Sequence, residues 1–372
     1  MTKRPREATP APEEALPEAD RLEGFPHPRE TLDLVGQARA EQVLLEAYRS
    51  GHLHHAWLLT GPEGVGKATL AYRFTRFLLA GGPEDALLPQ HDLAVPPSLP
   101  AVRQVAALSH PGLLVIRRPY DLKKKRIPAS IPVDEVRRLK EFLALTADDG
   151  AWRVVIVDRA DEMNASAANA LLKSLEEPPA RTVFLLVTAE PGRLLTTIRS
   201  RTRRLDLSSL AEDDLARVLT GLLAGAGEAP PTPEEAELLA TLSGGSVRRA
   251  LVLRSGDGLA LYERLIKVLG ASKPGPDILK LADRVDDFAV IVDLVQGLMN
   301  RLARQAALGA GALPAERRLA ARLAAPDALA SWAQLWETVG RARSDALTLN
   351  LDRRALLVDL LTRLTELGRD AA

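Results

Sequence analysis

Residues 56–69 run Ala56-Trp57-Leu58-Leu59-Thr60-Gly61-Pro62-Glu63-Gly64-Val65-Gly66-Lys67-Ala68-Thr69. The opening four residues are apolar with no polar alternation, the pattern of a strand buried on both faces. Gly61 to Lys67 fits G-x-x-x-x-G-K directly after that strand. A helical pattern from Ala68 to Leu79 follows, which is the context a phosphate-binding loop requires. Gly61, Gly64 and Gly66 let successive backbone N–H groups turn toward phosphate oxygens. The helix N-terminus adds partial positive charge and Lys67 a full one. One position departs from the pattern. A Ser or Thr hydroxyl normally follows the lysine and holds Mg²⁺, but here Ala68 stands there. Thr69 arrives one residue late, about 100° round the helix, which makes it a poor substitute although it belongs with the nucleotide-binding candidates.

Outward from this loop, three further apolar runs read as strands: Leu113 to Ile116, Val154 to Val157 and Val183 to Val187. Continuous apolar strands separated by helical segments predict a parallel sheet covered on both faces. The run Val154 to Val157 ends in Asp158 and resembles a Walker B strand, whose aspartate holds a metal through water. The neighbouring position, where a glutamate would activate water, is Arg159. Asp161 and Glu162 follow, read either as charge compensation at a helix start or as rescuing acids. The joint loss of hydroxyl and base predicts a site that can bind nucleotide without turning it over.

Composition sets the wider limits. The 372 residues suggest two or three domains. With 49 basic and 49 acidic residues the net charge is zero, so any DNA contact is local or shared with partners. There are no cysteines and the histidines are scattered, so no zinc or other metal site is expected. No apolar run is long enough for a membrane span and no signal peptide is evident, so a cytoplasmic address is expected. Residues 1–24, rich in Pro, Glu and Ala, read as a disordered tail, with order starting near Phe25. The segment between Gly81 and His110 reads as a long surface connection, and a helix is expected over 131–147. The basic tract Arg117-Arg118 and Lys123 to Arg126 reads either as a solvated loop or as a contact for DNA phosphates.

From Ser208 onward only helical signals remain. Ser209 and Thr232 open capping boxes, and Ser246 can cap a third helix. Three helices are therefore expected over 208–256, then further helices over 257–372, where Leu357, Leu360, Leu361 and Leu364 form a core-facing stripe.

Several strings resemble the clamp-loader branch of the AAA+ proteins: Asn169-Ala170-Leu171-Leu172-Lys173-Ser174-Leu175-Glu176-Glu177-Pro178-Pro179, Ile198-Arg199-Ser200-Arg201-Thr202, Gly244-Gly245-Ser246-Val247-Arg248, Val35-Gly36-Gln37 and His54-His55-Ala56-Trp57. The resemblance implies an α/β AAA+ P-loop domain over 25–207, a three-helix lid over 208–256 and an all-helical collar over 257–372. It implies ATP as the nucleotide and assigns Arg201, with Ser200, as an arginine reaching a neighbouring subunit's ATP. It assigns Arg248 to this chain's own site and Thr188 to a polar sensor position. A degraded phosphate loop beside a retained Ser-Arg resembles the family's delta-prime branch, whose role in DNA polymerase III is stator-like. The implied partners are tau/gamma motor subunits, a delta subunit, a sliding clamp, and primer–template DNA through the complex. Two other readings stay open: an active motor ATPase of the same family, and an AAA+ scaffold outside replication. The four-cysteine zinc module of many relatives has no counterpart here.

Overall fold

The computed structural model of the chain describes residues 16–81, 91–144, 151–271, 274–323, 329–348 and 351–366. Each apolar run forms a strand: β1 (Ala56–Thr60), β2 (Leu113–Ile116), β3 (Arg153–Val157) and β4 (Thr182–Val187). A fifth, β5 (Arg203–Asp206), completes a parallel sheet in the order β2-β3-β4-β1-β5. β5 is polar, with only Leu205 buried, so it carries no apolar run to be read. It forms because it pairs with β1. The Arg203 guanidinium lies 5.0 Å from the centre of the Trp57 ring, and the Thr60 hydroxyl donates to the Asp206 carboxylate.

Alternate residues of the central strands feed two cores. Trp57, Leu59, Val154, Ile156, Val183 and Leu185 face one. Ala56, Leu58, Val155, Val157, Phe184 and Leu186 face the other. The first side is covered by α1 (Ala38–Arg49), α2 (Lys67–Leu79) and α3 (Pro100–Ala106); the second by α4 (Val133–Ala144), α5 (Ala165–Glu176) and the short α6 (Thr196–Arg199). Burial on both faces explains the missing alternation. The arrangement is the parallel α/β sheet covered on both faces that was expected, with the phosphate loop joining β1 to α2.

After β5 the described residues are helical: α7 (Glu212–Gly225), α8 (Pro233–Ser243) and α9 (Val247–Ser255), then α10 (Gly258–Gly270), α11 (Gly275–Ala282), α12 (Phe288–Leu308), α13 (Arg317–Leu323), α14 (Leu329–Thr348) and α15 (Arg353–Glu366). The leucine stripe at 357, 360, 361 and 364 is buried. Thr232 and Ser246 accept from the N–H groups of Glu235 and Arg249, as N-caps do. The box expected at Ser209 does not form. Ser208–Leu210 is held by other bonds, Gln37 Nε2 donating to the Ser208 carbonyl and Leu210 N–H to that of Gly245. The cap position falls to Ala211, which has no side chain to accept.

Two further expectations change. Residues 82–90 lie outside the described ones, but the rest of the Pro-rich segment is not simply a surface connection. Leu93 is fully buried, Glu41 accepts its N–H, and α3 follows. The helix expected over 131–147 is α4, and residues 145–150 lie outside the described ones.

The C-terminal helices hold one buried charge pair. Glu316 is wholly inaccessible, and accepts from Arg301 Nε and Nη2, Tyr262 Oη and the Leu313 N–H. Removing one partner strands the other charge in the core. Glu316→Ala is expected to lower unfolding free energy by about 3–5 kcal/mol in urea denaturation, and Glu316→Gln by less.

Candidate nucleotide site

The phosphate loop owes its shape to glycines at positive φ: Gly61 at 138°, Gly64 at 76° and Gly66 at 101°. A Cβ on Gly61 would sit 2.2 Å from the Leu207 carbonyl oxygen, and one on Gly64 2.4 Å from Ser246 Oγ. The loop is therefore pressed between β5's exit and α9. The Gly64 carbonyl accepts from the Val247 N–H, which docks α9 directly on the loop. From the other side Gln37, buried, donates from Nε2 to the carbonyls of Val65 and Ser208. This gives the Val35-Gly36-Gln37 string a physical role.

A cavity of about 230 Å³ opens above the loop. Gly64, Gly66, Lys67, Ala68, Thr69, Asp158, Arg159, Thr188 and Arg248 all line it. One wall is apolar, from Leu22, Phe25, Leu34, Leu210, Leu222 and Leu251. Gly61 is not on the lining but sets the loop's entrance geometry. Lys67 is buried, and its Nζ donates to the carbonyls of Gly61 and Pro62. Burial lowers its pKa to about 8, opposed by Glu63, Asp161 and Asp158. Thr188 continues β4, its N–H donating to Leu59 O and its Oγ1 accepting from Glu190 N–H.

Residues 16–24, expected to be disordered, instead pack here. Glu18 accepts from Arg21, Arg29 and Arg117. Burial would raise its pKa, but these three guanidinium bonds hold it near about 2. Asp20 Oδ1 accepts from Arg117 Nη1 at 2.8 Å and its Oδ2 pairs with His27 Nε2 at 2.7 Å. The Arg29 N–H donates to His27 Nδ1, so Nε2 carries the proton and donates to Asp20. Asp20 also hydrogen-bonds Asp158. Its burial is outweighed by His27 and Arg117, which hold it well below the ordinary carboxylate range. Asp158, only 5% exposed, goes the other way: burial first, then the Asp20 charge and its hydrogen bond, push it up to about 7. Asp158 is thus the more basic and Asp20 the more acidic carboxyl of the pair.

Arg159, in left-handed conformation at φ 55°, carries a cation where a base was sought. It donates to Glu63 at 3.1 Å and pairs with Glu162 at 2.9 Å. Arg248 Nε lies 3.6 Å from the same Glu63. Asp161 and Glu162 sit in a 3₁₀ turn (Ala160–Glu162), and Glu162 is tied to Arg118 and Arg159; it serves as a partner for arginines and not as a helix-start charge. The basic tract divides accordingly. Arg117 and Arg118 are occupied inside the molecule, while Lys123 to Arg126 lie on an exposed turn. Asp20, Glu18 and Glu63 were missed as site residues. The only sequence signal for them was acid in an acid-rich tail and loop.

Ser200 and Arg201 lie elsewhere. Ser200 follows α6, its hydroxyl donating to the Thr197 carbonyl. Arg201 donates to the same carbonyl and pairs with Glu176 at 2.8 Å, with its side chain 36% exposed. Neither lines the cavity. The loop N–H groups and Lys67 are donors of the kind that phosphate oxygens accept from, and Ala68 offers no side-chain oxygen.

Asp158 takes up a proton on folding between its ordinary value of 3.8 and about 7, so its burial costs stability increasingly as pH rises through that window and constantly above it. Asp158→Asn removes that cost. The variant is expected to be more stable by about 1–3 kcal/mol at pH 8, the gain fading toward pH 4 in thermal unfolding.

Comparison with known proteins places this geometry. Residues 36–211 match the sequence family described as DNA polymerase III, delta subunit. The chain is 40% identical over 197 residues to DNA polymerase III subunit delta' of Pseudomonas aeruginosa, covering 52% of this chain and 53% of that one. It is 35% identical over 238 residues to subunit delta' of Escherichia coli, covering 63% and 65%. It is 28% identical over 228 residues to subunit gamma of Buchnera aphidicola, covering 61% and 58%. The matches thus span between about half and just under two thirds of these relatives. Residues 36–211, which carry the phosphate loop, Asp158 and Ser200-Arg201, are thus similar to the DNA polymerase III delta-subunit family.

Proposed function

We propose that the chain is a delta-prime, stator-like subunit of a DNA polymerase III clamp loader: it binds nucleotide weakly or not at all, hydrolyses none, and lends Arg201 to a neighbouring subunit's ATP. The observation that carries this is the contrast between its two sites. Within its own cavity the hydroxyl is replaced by Ala68 and the base by Arg159, which is consumed in pairs with Glu63 and Glu162. On the outside Arg201 sits beside Ser200, held by an exposed ion pair with Glu176. Exposed pairs of this kind contribute only about 0–1 kcal/mol, so the guanidinium exchanges readily for a phosphate. A planar, permanently charged donor suits the charge that develops on a transferring phosphoryl group.

In this reading the segments 25–207, 208–256 and 257–372 act as nucleotide domain, lid and collar. The first 24 residues are divided, since 16–24 belong with the nucleotide domain. Within this chain ATP would meet the loop N–H groups, Lys67 and Arg248, with its base along the apolar wall. The partners are gamma/tau-type and delta subunits, and through the assembly a sliding clamp and primed DNA. The place of work is the cytoplasm; no helix among the described residues is long and apolar enough to cross a membrane.

In a reconstituted loader, Arg201→Ala is expected to slow ATP turnover at the adjacent site by about 100-fold or more, and Arg201→Lys is not expected to restore it. Unchanged DNA-stimulated turnover would sink the trans role. The isolated chain should show no ATP turnover with Mg²⁺ and primed DNA; turnover abolished by Lys67→Ala would make it a motor subunit instead.

A further inference from the structure

The N-terminal segment does more than pack near the cavity. Asp20, Leu22 and Phe25 form part of its lining, opposite Gly64, Gly66 and Lys67. Asp20 engages both groups that a nucleotide would need from this chain beyond the loop. Its main-chain carbonyl accepts from Arg248 Nη1 at 3.1 Å, and its carboxylate is hydrogen-bonded to Asp158. The segment is fixed at both ends. Glu18 holds Arg29 and Arg117 on one side, and Phe25, 8% exposed, is inserted in the core on the other.

We propose that residues 18–25 are a tethered competitor for the nucleotide pocket, so that a nucleoside triphosphate enters only when Asp20 is withdrawn from Arg248 and Asp158. The inference rests on the reading of the cavity as a nucleotide pocket. Three constraints support it. Arg248 Nη1 donates to the Asp20 carbonyl, so a phosphate at this guanidinium competes with the strap for its position. A carboxylate beside Asp158 puts negative charge where a polyphosphate would bring more, in a setting shielded from water. Arg117, the cation that could offset that charge, is already divided between Glu18 and Asp20. A chain whose binding-competent state is a small fraction of the population shows an apparent dissociation constant raised by that fraction. The strap therefore makes weak binding a property of the resting chain as well as of the missing hydroxyl.

The test is equilibrium titration of the full-length chain with fluorescent MANT-ATP in EDTA, comparing wild type with Glu18→Ala/Asp20→Ala. The double variant is expected to bind about tenfold tighter or better, and the gain should vanish when Lys67→Ala is added. Equal, measurable binding by both chains overturns the strap and leaves the pocket reading standing. Absence of binding by both at millimolar ligand overturns the pocket reading, and the strap with it. A second measurement avoids dependence on the variant's folding. The chain has no cysteine, so Glu23→Cys, at an exposed strap position, takes a single environment-sensitive dye. Unlabelled ATP should shift that dye's emission with the midpoint of MANT-ATP binding. Binding with no change in the dye overturns the proposal.

Discussion

Asp158 is a carboxylate that the sheet denies to water. β3 is buried on both faces, and Asp158, the residue that follows it, keeps only 5% of its surface. An isolated ionised carboxylate in such a place costs several kcal/mol, so the surroundings must neutralise it. A divalent cation is the usual means at a nucleotide site, but the hydroxyl that would fix one is missing at Ala68. Below about pH 7 a proton on Asp158, in its hydrogen bond with Asp20, meets that need. Asp20 then needs His27 and Arg117, and Arg117 needs Glu18. A line of pairings runs from the sheet into the first described residues of the chain, and it orders a segment whose composition alone would leave it free.

The second neutralisation runs the opposite way. Replacing an acid with Arg159 puts a cation at the mouth of the cavity, and Glu63 from inside the phosphate loop meets it. The same glutamate lies near Arg248, so one side chain links loop, strand end and lid helix. These charges satisfy one another within the chain. Arg201 differs from them, since its partner Glu176 is itself half exposed. The less exposed pairings thus hold the walls of the cavity together, and the Arg201 pair lies apart from it on the outer surface.

How far this could be read from sequence differs by element. β1 to β4 were legible because burial on both faces writes unbroken apolar runs. β5 was not, because one inward leucine among charges carries no periodicity and the pairing with β1 decides it. The phosphate loop and Asp158 were legible because local geometry demands glycines and a strand-end acid. The order of residues 16–24 was not, because it arises from salt bridges to Arg117, almost 100 residues away along the chain. Ser209 shows the same limit on a small scale. Its box has the right letters, but the flanking carbonyls and N–H groups are claimed by Gln37 and Gly245. Arg117 and Arg118 read as a surface tract because charge runs usually are, whereas here each faces a half-buried acid.

The persistence of a phosphate-loop motif in a chain that has lost the metal hydroxyl and the base follows from packing. Gly61 cannot gain a Cβ without striking the Leu207 carbonyl, nor Gly64 without striking Ser246. Either change would push α9 or β5's exit off the loop. Lys67 bonds the loop's own carbonyls, so its ammonium stabilises the turn with no phosphate present. Each motif residue therefore has a structural occupation that remains when catalysis is gone. The hydroxyl at Ala68 and an acid at Arg159 would have none, since both positions serve chemistry and not the fold. Loss at those two positions and retention at the others is what the contacts alone would select in a chain that keeps its shape without its own metal site.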